Sequence, residues 1–315
     1  MKDPKVTVIM PVYNGEKHIM EAIDSILNQT FNDFELIIIN DGSTDKTEDI
    51  ITLYLKDNRV SYFKQTNRGY SMACNKGYSF AKAKYICFQD CDDISLPYRL
   101  KEEVDILEKY TDIELVYSSA IFLGDGGKPF AKWGGIKSGK ISHIKAFYKL
   151  YIEGNFIPNP TVMFRKRHIS SNNLFREDLK ICADYEHRLI TIHDYDIYEI
   201  EKPLVKIRRG SEHKHLTALR EENFKAEREI LKNIRKLFWD KEPKVTLIYF
   251  YRAMSNQLLK ESNYFIGQGE KKKSIQLLIH SIILNPFNLR AWKTIIVTLV
   301  PKSIIKVLKI FIHVK

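Results

Sequence analysis

The stretch that most constrains the fold is a short apolar run that ends abruptly in acidic residues. Tyr85–Phe88 (YICF) has the composition of a buried strand, and three carboxylates, Asp90, Asp92 and Asp93, follow closely. Like charges crowded at a strand end repel each other unless a cation lies among them. In open α/β sheets, ligands bind beyond the carboxyl ends of the strands. The stretch therefore predicts a ligand site on an α/β sheet.

The spacing of the carboxylates indicates what kind of ligand binds there. Asp90 and Asp92 are two residues apart, so an extended backbone places both side chains on the same side. Carboxylate oxygens suit Mg²⁺ or Mn²⁺, which bind one or two carboxylates and complete their shell with water and substrate phosphates. A metal and diphosphate site is the first hypothesis. The alternative is an N-cap cluster, with Asp92 or Asp93 capping the helix after Pro97.

Strand-like and helix-like segments alternate through the first hundred residues. The predicted strands are Lys5–Met10, Phe34–Asn40, Val60–Lys64 and Tyr85–Phe88, and the predicted helices are Glu16–Gln29, Lys46–Leu55 and Ser71–Ala83. This alternation predicts a mostly parallel, Rossmann-like sheet flanked by helices, the α/β class. The glycine pattern of dinucleotide-binding folds is missing after the first strand, which argues against an NAD-binding domain.

The remaining elements are less regular. Later strands are expected at Glu114–Phe122, Thr161–Phe164 and Tyr198–Arg208, the last broken by Pro203, with Gly124–Gly139 irregular between them. Helices are expected near Ile144–Tyr151 and at Asp184–His193, and from about His215 onward the chain is predicted to be helical.

The net charge of +11 is concentrated at one end of the 315-residue chain, because only three acidic residues, all Glu, follow Asp240. After Pro301, lysines at helical spacing face a broad apolar side, so residues 302–315 form a predicted basic amphipathic helix. Such a helix suits an anionic membrane surface. The alternative is a terminal helix docked on its neighbours. A nucleic-acid-binding protein is disfavoured, because the basic residues alternate with aliphatic rather than aromatic ones.

The four cysteines have no metal-ligand or disulfide spacing, and no apolar stretch is long enough to span a bilayer. We therefore expect a cytoplasmic protein, at most attached to the inner face of the cell membrane.

Several motifs together resemble family 2 glycosyltransferases with a GT-A fold, of the bacterial cell-surface polysaccharide type. The resemblance covers about residues 5–210 and rests on VTVIMPVYNGE, QTFNDFELIIINDGSTDKT, NRGYSMACNKG, YICFQDCDDISLP and FREDLKICADYEHRL. It implies an inverting, metal-dependent transfer of a sugar from a nucleotide diphosphate, UDP above all, to a glycan acceptor. The basic tail favours a lipid-linked acceptor.

The resemblance also implies roles for individual acidic residues. Asp41 matches the residue that recognises the uracil of the donor, and Asp92 matches the direct ligand of Mn²⁺ or Mg²⁺. Asp90 is oriented toward the ribose or the metal, and Asp184 matches the catalytic base of a Glu-Asp motif. Local alternatives stay open, since Asp41 suits an Asx-turn and Asp184 suits the first turn of a helix.

Other donor-binding candidates come from the same resemblance. They are Pro11, Tyr13, Arg68 and Asn75, while Pro158–Thr161 and Trp133 are expected on the acceptor side. The chain departs from the family pattern twice: Ala183 stands where glutamate precedes the base, and Cys74 stands where arginine is frequent. His213 and His215 are weaker candidates for the diphosphate or the metal.

The predicted organisation follows from these assignments. A GT-A-like catalytic domain spans 1–212, with a nucleotide-binding half at 1–100 and an acceptor half at 101–212, and a helical C-terminal region spans 213–315. A sugar-nucleotide nucleotidylyltransferase is the alternative enzyme class. It would require a glycine- and arginine-rich phosphate loop after the first strand, and Pro11–Glu16 does not supply one.

Overall fold

A computed structural model describes residues 3–135, 137–166, 174–209, 220–238 and 243–299, without the side chains of 243–246. The chain divides into two compact units, one made of 1–147 and 156–218, the other of 148–155 and 219–315. The histidines 213 and 215 and the basic tail 302–315 lie outside the described residues, so their predicted roles stay predictions.

The first unit is built around one sheet. Its strands are β1 Val6–Val12, β2 Phe34–Asn40, β3 Val60–Lys64, β4 Tyr85–Phe88, β5 Ile94–Ser95, β6 Ile113–Leu123, β7 Pro129–Trp133, β8 Gly139–Ile141, β9 Val162–Arg165 and β10 Asp196–Arg208. The main strand order is β3-β2-β1-β4-β9-β6-β10-β5, with β7 beside β6 and β8 beside β10.

The helices complete both units. They are α1 Ile19–Leu27, α2 Thr47–Thr52, α3 Tyr70–Phe80, α4 Arg99–Lys109, α5 His143–Glu153, α6 Ala183–Asp194, α7 Arg220–Phe238, α8 Pro243–Gly267, α9 Lys271–Leu284 and α10 Leu289–Leu299, with 3₁₀ turns at Asp125–Gly127 and Asn159–Thr161. None of the helices in the described ranges is both long and apolar enough to cross a bilayer.

The sheet confirms the α/β class but is mixed in direction. Strands β1, β2, β3 and β4 pair in parallel, as the alternation with helices predicts. Strand β9 then inserts antiparallel between β4 and β6, while β6 and β10 are parallel again. The register between β6 and β10 shifts around Pro203, because proline cannot donate a ladder hydrogen bond.

The core lies around the central strands. Every residue of β1 is buried, because helices cover both faces of a parallel sheet. The apolar spacing of α1 places Ile19, Ala22, Ile23 and Ile26 against this core. The strands that pack in this core begin and end within a few residues of their predicted bounds. The sequence did not predict β5, β7 or β8.

Candidate active site

The carboxyl ends of three neighbouring strands form one edge of the sheet. The backbone N–H of Asp41, directly after β2, donates to the carbonyl of Val12 at the end of β1 (2.8 Å). On the other side of β1, the backbone N–H of Gln89 donates to Ile9 (3.0 Å). The predicted donor residues Pro11, Asp41 and Asp90 therefore lie along the same edge.

Two loops close the first side of this edge. The backbone N–H of Asn14 donates to Ser43 Oγ (3.0 Å), and the Asn14 side chain accepts from the backbone N–H of Thr44 (2.8 Å). The neighbouring Tyr13 is 51% exposed, which leaves its ring accessible to a flat ligand. The structure thus brings Tyr13 and Asp41 to one corner of the edge, where the sequence predicts the nucleobase.

The carboxylate of Asp41 is buried and organises the loop before α3. It accepts hydrogen bonds from Gln65 Nε2 (2.7 Å), from the backbone N–H of Arg68 (2.9 Å) and from that of Gly69 (2.8 Å). Gly69 has φ +90, a conformation that favours glycine, and α3 begins at Tyr70. A carboxylate accepts about four hydrogen bonds, so these donors use most of its capacity. The side chain of Arg68 is exposed above this loop.

Asp90 lies where negative charge is most concentrated. Its Oδ1 accepts from the Tyr70 hydroxyl (2.9 Å). Burial, together with the charges of Asp92 and Asp184, raises the pKa of Asp90 to about 7, although the Tyr70 hydrogen bond and Arg209 oppose the shift. The negative charge of Asp184 is thus one of the causes of the raised pKa of Asp90.

The other carboxylate of this loop is fixed by the backbone of β10. Asp93 is buried, and its Oδ1 accepts from the backbone N–H of Arg208 (2.9 Å). Burial and the charges of Asp92 and Asp90 raise the pKa of Asp93 well above its usual value. Arg209 favours the charged form of both Asp90 and Asp93, so it is the cationic group that balances this cluster.

A buried polar network holds the loop between β4 and β5. The Gln89 side chain donates to the carbonyls of Asp90 (3.1 Å) and Asp93 (2.7 Å) and accepts from Ser95 (2.6 Å). The buried guanidinium of Arg99 donates to the Phe88 carbonyl (3.0 Å) and pairs with Glu103 (3.2 Å). Burial raises the pKa of Glu103 to about 7, against the attraction of Arg99.

The residues after β4 fit a divalent cation that also binds phosphate. The described part of the chain holds no cluster of three or more His, Cys, Asp or Glu side chains with metal-binding geometry. Mg²⁺ and Mn²⁺ do not need one when a substrate supplies phosphate oxygens. Asp92, which is partly exposed, has the carboxylate chemistry for such a cation, and Asp90 is the neighbouring acidic group.

Asp184 lies in the first turn of α6. Its Oδ2 accepts from Arg188 Nη1 at 2.5 Å, one helical turn further on. Arg188 is almost fully buried, at 2% side-chain exposure, whereas Asp184 is 22% exposed. The residue before the helix, Cys182, has φ +61, and its carbonyl accepts from the N–H of Tyr185 (3.0 Å). The predicted base is therefore partly accessible and oriented by a buried cation.

Asn75 has a different environment from the one the resemblance implies. Its amide donates to the carbonyl of Phe175 (2.8 Å) and accepts from the backbone N–H of the same residue (2.8 Å). Ser71 likewise donates to the Leu179 carbonyl (2.9 Å). Both side chains attach α3 to the segment that leads into α6. Asn75 thus holds the segment that leads into α6, and its contact with the donor stays a prediction.

Position 74, where the family pattern has arginine, contributes no cation. The Cys74 side chain is fully buried, and burial together with nearby Asp90 raises the pKa of its thiol well above the usual value. A phosphate contact from this position is excluded because no positive charge is present there.

Three polar residues connect the two sides of the site, and of these the sequence singled out only Asn159, as part of the acceptor side. The Tyr70 hydroxyl accepts from Asn159 Nδ2 (2.7 Å), and Asn159 Oδ1 accepts from Arg188 Nη2 (2.7 Å). Asn159 lies in the 3₁₀ turn before β9, a segment predicted only to face the acceptor. No periodicity in the sequence could have paired these positions, because 89 residues separate Tyr70 from Asn159.

The chain matches the family description "Glycosyl transferase family 2" over residues 7–171. An uncharacterised glycosyltransferase of Methanocaldococcus jannaschii is 30% identical over 227 residues, which cover 70% of this chain and 77% of that protein. The fold is that of glycosyltransferases of the GT-A type. The chain belongs to glycosyltransferase family 2.

Solved structures share the fold at low sequence identity. Staphylococcus aureus TarS 1-349 matches with a TM-score of 0.65 and 20% identity over 90% of this chain and 81% of that one. TarS has also been crystallised with UDP-GlcNAc. A mannosyltransferase of Pyrobaculum calidifontis, solved with GDP-Man and Mn²⁺, matches with a TM-score of 0.53 and 16% identity over 95% of this chain and 85% of that one.

The three hydrogen bonds to Asp41 give a first testable prediction. In Asp41→Asn, an amide nitrogen replaces one acceptor oxygen and opposes an N–H donor of the loop 65–69. We expect the free energy of unfolding to fall by about 1–3 kcal/mol, measured by urea denaturation.

Asp105→Asn is the matched control, because Asp105 is an exposed carboxylate paired with Lys101 (2.8 Å). Its substitution is expected to change stability by less than about 0.5 kcal/mol. Equal losses in the two variants would contradict the structural role of Asp41.

Proposed function

We propose that this glycosyltransferase transfers a hexose or N-acetylhexosamine from a UDP-sugar to a glycan acceptor, with inversion. The observation that carries the proposal is a continuous series of hydrogen bonds between Asp90 and Asp184, which come from distant parts of the chain. A donor-side carboxylate and a base in one site suit a single displacement. Family membership favours this activity over nucleotidyl transfer.

The corner formed by Tyr13 and Asp41 supports the choice of a nucleotide. Tyr13 presents an exposed ring, and the backbone of Asp41 is hydrogen-bonded to Val12, the residue before Tyr13. A uracil could stack on the ring and donate its N–H to a carboxylate oxygen of Asp41. The loop donates three hydrogen bonds to this carboxylate, which accepts about four. UDP is the nucleotide we propose, because TarS, with the same fold, was crystallised with UDP and with UDP-GlcNAc.

Asp92 would hold Mn²⁺ or Mg²⁺, with Asp90 beside it and the diphosphate and water completing the shell. When bound, the cation neutralises charge that develops on the diphosphate leaving group. Arg209 adds positive charge on the same side, where it already balances Asp90 and Asp93. The chain's own contribution is to hold these groups in place through Gln89 and Arg99.

Asp184 would take the proton of the acceptor hydroxyl. Its carboxylate is partly exposed, and the Arg188 guanidinium fixes its orientation from the buried side. Deprotonation on the side of the sugar opposite the diphosphate makes the hydroxyl oxygen a better nucleophile, which attacks as the bond to the diphosphate breaks. General base catalysis of this type contributes typically about 10²–10⁴-fold.

The donor site is tested by metal-dependent binding. We expect UDP and UDP-sugars to raise the melting temperature in the presence of Mn²⁺, because a ligand that binds the folded state stabilises it. Asp92→Asn should abolish the Mn²⁺-dependent part of the shift, since the carboxylate ligand is removed. Asp49→Asn is the control, because Asp49 is an exposed carboxylate in the first turn of α2.

A panel that includes GDP and TDP compounds separates the donor classes. Stabilisation by GDP compounds alone would overturn the choice of UDP. An unchanged Mn²⁺-dependent UDP shift in Asp92→Asn would overturn the metal assignment.

The base is tested by separating binding from transfer. Asp184→Asn should keep donor affinity, measured by calorimetry, and lower the rate of transfer by about 10²–10⁴-fold. Asp194→Asn, at the other end of α6, is the matched control because its carboxylate is exposed and pairs with His193 (2.6 Å). Transfer near the wild-type rate in Asp184→Asn would remove this residue as the base.

A lipid-linked acceptor at an anionic membrane is the part of the proposal that concerns the second unit. Large apolar side chains of this unit are exposed, among them Ile283 (67%), Phe287 (90%), Leu289 (78%) and Leu299 (60%). The lysines 271–273 and the basic tail 302–315 add positive charge. Exposed apolar groups beside basic ones favour a membrane interface with anionic lipids.

The membrane hypothesis predicts sedimentation with anionic liposomes. A chain ending at residue 300 should lose most of the binding, because it lacks the four lysines at 302, 306, 309 and 315. Neutral liposomes and mixed DNA are the controls. Undiminished liposome binding by the shortened chain would exclude the tail as the anchor, and tighter binding to DNA would favour a nucleic-acid partner.

A further inference from the structure

An unbroken series of hydrogen bonds joins the donor-side carboxylate to the proposed base. It runs from Asp90 Oδ1 to the Tyr70 hydroxyl (2.9 Å), to the Asn159 amide (2.7 Å), to the Arg188 guanidinium (2.7 Å) and to Asp184 Oδ2 (2.5 Å). We call Tyr70, Asn159 and Arg188 the bridge. We infer that the bridge residues are positioning residues that fix the Asp184 carboxylate relative to the donor.

The chemistry of the groups allows only one direction of donation. Arginine only donates hydrogen bonds, so Arg188 requires an acceptor at Asn159 Oδ1. The amide nitrogen of Asn159 then faces Tyr70 and donates to its hydroxyl oxygen. The hydroxyl proton is left for Asp90. A flipped Asn159 amide would place its NH₂ group against the Arg188 donor, so the bridge specifies the orientation of the Asn159 amide.

The bridge connects elements that the backbone leaves far apart in sequence. Tyr70 begins α3, Asp90 follows β4, Asn159 lies in the 3₁₀ turn before β9, and Arg188 lies on α6. Asp90 is fixed through the sheet, whereas Asp184 belongs to a helix that starts after Cys182 with φ +61. The bridge therefore helps to place the start of α6 against the strand ends, in addition to the bonds of Ser71 and Asn75 to the segment before it.

An ordinary ion pair within a helix does not explain this arrangement. Exposed pairs four residues apart, such as Lys101 and Asp105, leave both side chains more than half exposed. Arg188 is 2% exposed and uses its second terminal nitrogen for Asn159. A guanidinium held at both nitrogens has one orientation, and this orientation passes to the carboxylate of Asp184.

The position of the base matters for the rate. A general base must lie within hydrogen-bond reach of the acceptor hydroxyl while the sugar is held by its diphosphate. A displacement of about 1 Å can cost about 10²-fold in rate, even when the substituted residue is remote from the reaction. This inference rests on the proposed function, since it requires Asp184 to be the base and the Asp90 side to bind the donor.

The test is a double-mutant cycle between bridge members that do not touch. Tyr70→Phe removes the hydroxyl, and Arg188→Lys keeps the charge but removes the planar fork. We expect each variant to lower kcat for nucleotide release about tenfold, because the base is displaced. Arg188→Lys should change donor affinity less than about twofold, because Arg188 bonds to Asn159 and Asp184 and not to Asp90. The double variant should have about the same kcat as the less active single variant, because one substitution already breaks the bridge.

Tyr54→Phe and Arg59→Lys are matched controls. Tyr54 donates to Asp24 (2.8 Å) and Arg59 pairs with Asp57 (2.7 Å), both outside the site. Each control substitution should change kcat only slightly, and the control double variant should show the product of the two single changes. The probe is the fastest member of a panel of UDP- and GDP-sugars with Mn²⁺, assayed by nucleotide release. Two results would overturn the positioning role of the bridge. In the first, the double variant loses kcat by the product of the two single losses. In the second, the variants lower the melting temperature but leave kcat unchanged.

The variant Asp184→Asn distinguishes a failure of the proposed base from a failure of the bridge. If Asp184→Asn releases nucleotide at the wild-type rate, the proposed base fails, whatever the bridge variants do. If Asp184→Asn is inactive and the bridge variants are fully active, the bridge alone fails.

A crystal structure of Asn159→Ala gives a readout that needs no activity. We expect the Asp184 carboxylate to move by about 1 Å or more while Tyr70 keeps its place beside Asp90, a displacement large enough to affect the rate. An unmoved Asp184 would overturn the inference even if no sugar in the panel reacts.

Discussion

Three carboxylates after β4 repel one another, and much of the first unit serves to hold them at one place. Asp93 is fixed by the backbone of β10, Asp90 by the Tyr70 hydroxyl, and the turn between them by Gln89. Gln89 depends in turn on the buried Arg99, which also binds the last carbonyl of β4. Removing one partner of a buried ion pair leaves an uncompensated charge, typically a loss of 3–5 kcal/mol. This buried pair stabilises the loop after β4, because Arg99 also donates to Gln89 and to the Phe88 carbonyl.

The strands that build this edge could be predicted because their residues interact with a core on both faces. Tyr85–Phe88 and Phe34–Asn40 were predicted with the bounds that the structure has. The exposed strand β7 and the two-residue strand β5 were not, since pairing with β6 and β10, rather than any apolar pattern, makes them strands. Antiparallel β9 was expected as a strand, but its direction depends on the path of the chain between β6 and α6.

The candidate site divides in the same way between local and distant information. Asp90, Asp92 and Asp184 stand in motifs of a few residues, so the sequence alone marks them as candidates. The contact of Asn75 with the backbone of Phe175 is not visible there, because an asparagine amide can bind a ligand or a neighbouring backbone. The bridge is least visible of all, because Asn159 meets Arg188 across 29 residues and Tyr70 across 89.

The two interpretations of Asp184, an acid that stabilises a helix start and a catalytic base, do not compete. An acidic side chain in the first turn of α6 interacts favourably with the helix dipole, and the same turn sets where the carboxylate lies. Position 183, which is glutamate in the family pattern, is here Ala183. Its side chain is apolar and 4% exposed, so it cannot orient Asp184 through a hydrogen bond. Arg188 provides that orientation from within the helix, and Asn159 fixes Arg188 from outside it. The departure at position 183 is therefore compatible with a well-placed base, because the cation that orients it comes from one turn further along α6.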